Sequence, residues 1–338
     1  MPLAHSAAAL LALALLAGRP AVGRAQPAAA RPAAAHATAP ASPMADGAHD
    51  AVVHGVRLWY RVAGAPGGTP VLFLHGGPGY NSHSFATLAG PALERGLRMI
   101  YLDQRGSGRS ERPWTRQYAL DTLVADLEAL RAHLGVPQLA LVGHSFGGTL
   151  ALEYAARHPE RVARMVLVAP ASDIAAACAA RVARLETAHP AALARARADT
   201  AGRGGTPRDA CDLAFNTLSG AEHARFNDAV MFPDSLVARR MADVDSASGL
   251  RNTGELSQAL FGGGLLGYRF AGHARVTMPV LVVTGGHDAA IGMPAQEALA
   301  RTLPAVRLSV YERAGHFVYL DEPARFTREV TAFLAARR

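Results

Sequence analysis

The chain has 338 residues, half of them apolar, enough to bury a large core as one big domain or as two ordinary ones. Its net charge of +7 is carried wholly by arginine, because no lysine occurs, and this excludes Schiff-base chemistry on a lysine. The arginines are scattered over helices and loops with no basic stripe or aromatic-studded basic face, so no nucleic-acid partner is expected.

Residues 7 to 18, AAALLALALLAG, form an apolar run shorter than the ~20 residues a membrane-spanning helix needs but suited to a signal-peptide core. With the A-x-A-like site at Gly23-Arg24-Ala25, this predicts a signal peptide over 1–25 and an exported protein, periplasmic or secreted. An uncleaved membrane anchor is the alternative, since no Lys or Arg precedes the run; no stable membrane partner is expected. Residues 26–50, rich in Ala, Pro and His without apolar periodicity, read as a linker.

From residue 51 the pattern becomes that of an α/β domain. Val52 to Val62 gives two alternating runs broken at Gly55, a hairpin. Pro70 to Leu74 is a continuous apolar run, as expected of a strand buried on both faces, and ends in His75-Gly76-Gly77-Pro78-Gly79. Such a loop leaves backbone N–H groups unobstructed and suits an oxyanion hole. Leu97 to Leu102 is another strand, running into Asp103-Gln104-Arg105-Gly106-Ser107-Gly108-Arg109-Ser110. That loop lacks the Gly-Lys-Ser/Thr ending of a phosphate cradle, and Asp103 reads as a structural carboxylate closing it. Asp121 to Leu134 places Leu123, Leu127, Leu130 and Leu134 on one helical face.

Leu139 to Leu152, LALVGHSFGGTLAL, joins a buried strand to a helix through Gly143-His144-Ser145-Phe146-Gly147, the G-x-S-x-G nucleophile elbow. The serine there occupies a strained turn that pushes its hydroxyl out at the top of the sheet. Met165 to Val168 supplies the next strand. From about Ser172 to Arg275 strand signals cease, and helix-like stretches with Gly-rich breaks indicate an inserted helical lid. Cys178 and Cys211 fall within it, and sequence leaves open whether their Cα atoms approach within the ~4.4–6.8 Å a disulfide needs. The sheet resumes at Val280 to Val283, ending in Gly285-Gly286-His287-Asp288. Val306 to Tyr311 leads to Gly315-His316-Phe317, and Pro323 to Arg337 closes the chain as an amphipathic helix. The expected domains are thus 51–171 and 276–338 as the two parts of a mostly parallel α/β core, with 172–275 as the lid.

Ser145, Asp288 and His316 follow one another in the order Ser, Asp, His, the latter two each just after a late strand. Serine needs a base to take its proton, histidine titrates in the right range, and the carboxylate fixes the tautomer and stabilises the imidazolium. The backbone N–H groups of Phe146 and Gly77 are the candidate oxyanion donors. His287 competes for the role of the late acidic turn, whereas His75 and His144 are expected to tie down backbone. No H-E-x-x-H or Cys/His ligand spacing appears, so neither metal nor other cofactor is expected.

With these residues in view the sequence resembles the α/β-hydrolase superfamily and, within it, the serine-type proline iminopeptidases. The resemblance covers Val52 to Pro170 and Met278 onward. It rests on HGGPG at 75–79, DQRGSGRS at 103–110, GHSFGG at 143–148 with its leading glycine, and the late GHD and AGH elements. It implies release of N-terminal proline from peptides, with lid carboxylates holding the substrate ammonium. By its distance ahead of Asp288, Glu255 resembles one such position; Glu222 is second, and Glu186 is also available. Phe215, Phe226, Phe232, Phe261, Tyr268 and Phe270 are candidates for a proline pocket, although the lid is less aromatic than the family leads one to expect.

The alternative keeps the triad and changes the substrate to a small ester, lactone or amide, with an uncharged lid pocket. An acidic cluster facing Ser145 would separate the two. A binding protein that has lost catalysis conflicts with the intact elbow, and epoxide hydrolase or dehalogenase chemistry would put an aspartate where Ser145 stands.

Overall fold

Each apolar run read as a strand forms one in the computed structural model, which describes residues 42–199 and 208–336. The strands are β1 (Gly47–Val53), β2 (Val56–Gly64), β3 (Pro70–Leu74), β4 (Arg98–Leu102), β5 (Leu139–His144), β6 (Val162–Val168), β7 (Val280–Gly285) and β8 (Val306–Tyr311). They make one eight-stranded sheet in the order β1-β2-β4-β3-β5-β6-β7-β8. The β1–β2 and β2–β4 pairs are antiparallel, and every pair from β4–β3 to β7–β8 is parallel. The hairpin turns at His54 and Gly55, both with positive φ (47° and 74°), the backbone that a two-residue turn between twisted strands requires.

β1 begins at Gly47, inside the segment read as linker up to Asp50. Gly47 pairs with Val62 and Asp50 with Trp59, so the backbone of this edge strand is satisfied by β2. Its first residues, with mostly exposed side chains, carry no apolar alternation to betray them. Arg98 also reaches back to the Met44 carbonyl and the Asp46 carboxylate. The expected signal peptide and the first part of the linker lie outside the described residues.

The central strands read as unbroken apolar runs because helices cover both faces. Leu72 and Leu74 of β3 point into one core and Val71 and Phe73 into the other, and β7 divides in the same way. Small helices α1 (His83–Leu88) and α2 (Gly90–Leu93) follow β3; α3 (Leu120–His133) precedes β5, and α4 (Phe146–Arg157) follows it. Between β6 and β7 come α5 (Ile174–Ala188), α6 (Pro190–Ala198), α7 (Ala210–Asn216), α8 (Gly220–Met231), α9 (Ser235–Ser248) and α10 (Glu255–Gly262). After β7 the chain forms α11 (Met293–Thr302), α12 (Val318–Asp321) and α13 (Pro323–Ala335). Helices α3, α4 and α11 cover the first face, while α1, α2 and α13 cover the second. Among the described residues no helix is long and apolar enough to cross a membrane.

The helical insertion has a small core of its own. Ile174, Val182 and Leu185 of α5 pack with Leu193, Leu213, Phe226 and Val230, and this cluster rests on Ile291 and Ala295 beyond β7. Asp173 caps α5 by accepting from the Ala176 N–H at 3.0 Å. A disulfide joins Cys178 of α5 to Cys211 of α7, with the Cα atoms 4.8 Å apart. Closing a loop of this length by a covalent bond restricts the unfolded chain by about 2–4 kcal/mol. Reduction, or paired Cys178→Ser and Cys211→Ser substitution, is therefore expected to lower unfolding stability by roughly 2–4 kcal/mol in urea titrations. Superimposable curves with and without reductant would contradict a stabilising bridge.

Candidate active site

Ser145 sits where β5 hands over to α4, with φ 53° and ψ −119°, a backbone state that non-glycine residues avoid. It is pinned there from several sides: its N–H donates to the Val168 carbonyl at 2.9 Å, and its carbonyl accepts from Gly148 at 2.8 Å and Ala171 at 3.1 Å. The elbow glycines are required sterically. A Cβ on Gly143 would lie 2.5 Å from the Gly147 carbonyl oxygen, and one on Gly147 would lie 2.0 Å from that of Leu74.

His316 follows β8 and is positioned by its own backbone, whose N–H donates to the Met231 carbonyl at 2.8 Å. Its Nδ1 donates to Asp288 Oδ2 at 3.0 Å, and both side chains are buried. The other oxygen of Asp288 accepts from the N–H groups of Ala290 and Ile291 at 2.8 and 3.1 Å, so both oxygens are engaged and the carboxylate is held facing His316. With Nδ1 committed, the Nε2 of His316 is the basic nitrogen left over. Ser145 and His316 line one cavity of about 560 Å3. His287 is exposed, which removes it as a competitor for the place of Asp288.

The other two histidines are braces. Burial and the adjacent His316 ring push the His144 pKa well below its usual value, and its Nε2 donates to the His316 carbonyl at 3.1 Å. Burial also lowers the pKa of His75, against the pull of Asp103. His75 Nδ1 donates to the Gly76 carbonyl at 2.9 Å, and Nε2 accepts from the Gln104 N–H at 3.1 Å. His75 thus ties the HGGPG loop to the loop that begins at Asp103. Asp103 is fully buried and accepts from Ser82 N–H and Oγ–H at 2.8 and 2.7 Å and from Arg109 Nε at 2.7 Å. Burial alone would raise its pKa; the Arg109 bonds outweigh that and hold the carboxyl below its usual value. Arg109 in turn lies over Trp59 at 3.4 Å, and Arg105 makes a buried two-pronged pair with Asp126 at 2.7 and 2.6 Å.

This scaffolding presses the HGGPG loop against the elbow. A Cβ on Gly76 would come within 3.0 Å of Ser145 Cβ, and Gly77 has φ 116° with no room for a side chain beside the Gly79 and Tyr80 nitrogens. Gly77 and Phe146 both line the cavity. Phe146 is the first residue of α4, so its N–H precedes the helical hydrogen-bond ladder.

The remaining walls are mainly apolar, with Ile174, Phe215, Met231, Met241, Phe261 and Phe317 among them. Of the aromatics expected around a proline, Phe215 and Phe261 reach the cavity; Phe226 and Phe270 are buried in cores, Tyr268 packs against two of these cores, and Phe232 stacks on Phe317 at 4.8 Å. The expected ammonium-binding carboxylates do not reach it. Glu255 opens α10 beside Gly254, but its carboxylate turns toward Arg112, 3.9 Å from Nε. Glu222 is half exposed and pairs with His189 at 3.1 Å, and Glu186 pairs with Arg197 at 2.6 Å. No carboxylate lines the cavity among the described residues, and residues 1–41, 200–207 and 337–338 contain no aspartate or glutamate.

Two features escaped the sequence reading. Arg181 of α5 lines the cavity; burial lowers its pKa to about 10, with the Asp288 carboxylate opposing, so it stays cationic at neutral pH. Tyr80, also on the wall, donates its hydroxyl to Asp245 of α9 behind it. Neither has a local motif that marks it.

Comparison with known proteins agrees with this fold. The family model described as alpha/beta hydrolase fold matches residues 69–323. The chain belongs to that family. It is 30% identical over 293 residues to the 2-hydroxymuconate semialdehyde hydrolase of Pseudomonas sp. strain CF600, covering 84% of this chain and 92% of that one. It is equally 30% identical over 288 residues to the proline iminopeptidase of Levilactobacillus brevis, covering 83% and 93%. Among solved structures, a proline iminopeptidase-related protein from Thermus thermophilus superposes with a TM-score of 0.69 at 27% identity, over 86% of this chain and 98% of that one. The protein is a hydrolase of the α/β fold, with relatives of more than one substrate class at the same distance.

The strain at the elbow makes an opposed pair of predictions. Ser145→Gly should raise the unfolding free energy by about 1 kcal/mol, since glycine accepts this backbone state and its entropic cost offsets only part of the relief. Gly147→Ala should cost about 3 kcal/mol or prevent folding. Urea midpoints measure both, and a Ser145→Gly protein less stable than wild type would contradict a strained serine.

Proposed function

We propose that this chain is a serine hydrolase of small acyl substrates, an esterase in its simplest form, working through Ser145, His316 and Asp288. The observation that carries this reading is the cavity: Ser145 and His316 open onto mainly apolar walls that bear no carboxylate. A free substrate ammonium desolvated there would lack the partner charge it needs, whereas a neutral acyl group would not.

In this reading Ser145 Oγ attacks the acyl carbonyl carbon while its proton passes to His316 Nε2, and the imidazolium is stabilised through Nδ1 by Asp288. The oxyanion lies against the N–H groups of Gly77 and Phe146. Collapse breaks the bond to the leaving group, which takes the proton from His316, and leaves an acyl-enzyme. Water then repeats the sequence and releases the acid. No metal or organic cofactor takes part.

The aminopeptidase reading retains support from the HGGPG and DQRGSGRS loops, from the proline iminopeptidase relatives, and from Asp245, whose Oδ1 is buried without a hydrogen-bond partner behind Tyr80. Against it, Asp245 stands behind Tyr80 and does not line the cavity, and burial raises its pKa from the usual value with the Tyr80 hydrogen bond opposing. Export is proposed on the apolar run at residues 7 to 18, and a disulfide between Cys178 and Cys211 fits an oxidising compartment.

Short-chain aryl esters, free prolyl and alanyl arylamides, and an N-blocked prolyl arylamide separate the readings, with Ser145→Ala as the blank. Ester turnover that falls at least about 10³-fold in Ser145→Ala, with prolyl amide turnover negligible, is expected. Rapid cleavage of the free prolyl amide, abolished by N-blocking, would establish the aminopeptidase instead, and turnover surviving Ser145→Ala would overturn the mechanism.

A further inference from the structure

Three arginines are buried among the described residues: Arg98, Arg105 and Arg181. Arg98 is paired with Asp46 and Arg105 with Asp126, as a desolvated guanidinium requires. Arg181, only 6% exposed, has no carboxylate at ion-pair distance among the described residues. Its Nη2 donates to the Asn227 side-chain oxygen, and its guanidinium lies 4.9 Å from the Phe215 ring centre and 5.6 Å from that of Phe226. Its Nε is buried with no hydrogen-bond partner at all. Asp288 favours the cation from beyond ion-pair distance, while its own oxygens accept from His316, Ala290 and Ile291. This unfinished cation is on the wall of the cavity that Ser145 opens into.

A guanidinium that lies against two aromatic rings, is held at one nitrogen and lines a cavity without an ion-pair partner can act there as a recognition fork. The missing partner has the chemistry of a carboxylate, and the mainly apolar walls of the cavity bear no acidic residue among the described residues to take that position. We propose that Arg181 binds a carboxylate on the substrate, so that the preferred substrate of this hydrolase is a small acyl compound bearing a negative charge away from the bond that is cut. The proposal deepens the acyl-hydrolase reading and rests on Ser145 being the nucleophile. The apolar walls then hold the carbon skeleton between the anchored charge and the reacting carbonyl. Arg181 is a specificity-determining residue and takes no part in proton transfer.

The test compares matched aryl esters: the monoester of glutaric acid, with the charge on the acyl side; the butyrate ester of a hydroxybenzoate, with the charge on the leaving side; and neutral aryl pentanoate. Wild type should prefer one of the two anionic esters over the neutral one by at least tenfold in kcat/KM. Arg181→Gln should reduce that preference ratio at least tenfold, mainly through KM, and Arg181→Lys should restore part of it. Equal turnover of all three esters by wild type, or a ratio unchanged in Arg181→Gln, overturns the proposal.

If wild type cleaves no ester, the hydrolase reading fails, and Arg181 is judged by binding alone. Calorimetric titration of glutarate into wild type should then show saturable binding weakened at least tenfold in Arg181→Gln, and absent or equal binding overturns the proposal. Circular dichroism and melting establish that the variant is folded. Should it not fold, the substrate preference of wild type and the Arg181→Lys ratio decide the matter.

Discussion

A serine at φ 53°, wedged between the end of β5 and the start of α4, is the constraint on which the rest of the site depends. It holds only because the chain around it approaches closer than side chains permit, with Gly147 under the Leu74 carbonyl and Gly143 against the Gly147 carbonyl. Those contacts require β3 and β5 to be neighbours in a parallel sheet, which requires helices on both faces and hence apolar residues on both sides of each central strand. The composition of the core and the exposure of one hydroxyl are linked through a few ångströms of backbone.

Around that point the protein manages charge by pairing it. Asp103 holds the HGGPG loop against the elbow through Ser82 and, through the following Gln104, His75; Asp288 is locked by two N–H groups before it orients His316. His75 and His144 lie beside the site with depressed pKa values and serve as neutral braces, each with one ring nitrogen donating to a carbonyl. His316 differs from them in having a carboxylate on one side and a cavity on the other. Of the three buried arginines among the described residues, Arg181 is the one without an ion pair, and it falls on the cavity wall.

The parts legible in the sequence are those where one physical requirement dictates residue type. A strand buried on both faces has to be apolar throughout, so β3, β4, β5, β6 and β7 were readable. The elbow must be glycine at fixed offsets, so Ser145 was as well. The start of β1 was not, because an edge strand is held by backbone bonds that side-chain composition does not record. Inside the helical insertion, chain distance from Asp288 singled out Glu255, but distance does not specify a helix face, and at the first turn of α10 its carboxylate turns to Arg112. Arg181 was hidden for another reason: in a chain whose every basic charge is arginine, one more on an amphipathic helix carries no signal until its neighbours are known.

The central claim, that the fold activates Ser145 through His316 and Asp288, is tested most directly by a fluorophosphonate, which forms a phosphorus–oxygen bond to an activated serine with loss of fluoride. Intact-mass and peptide mass spectrometry should find one adduct per chain, on the peptide containing Ser145, formed at a rate that falls sharply in His316→Gln. A chain that stays unlabelled, or an adduct on another residue, would contradict the account.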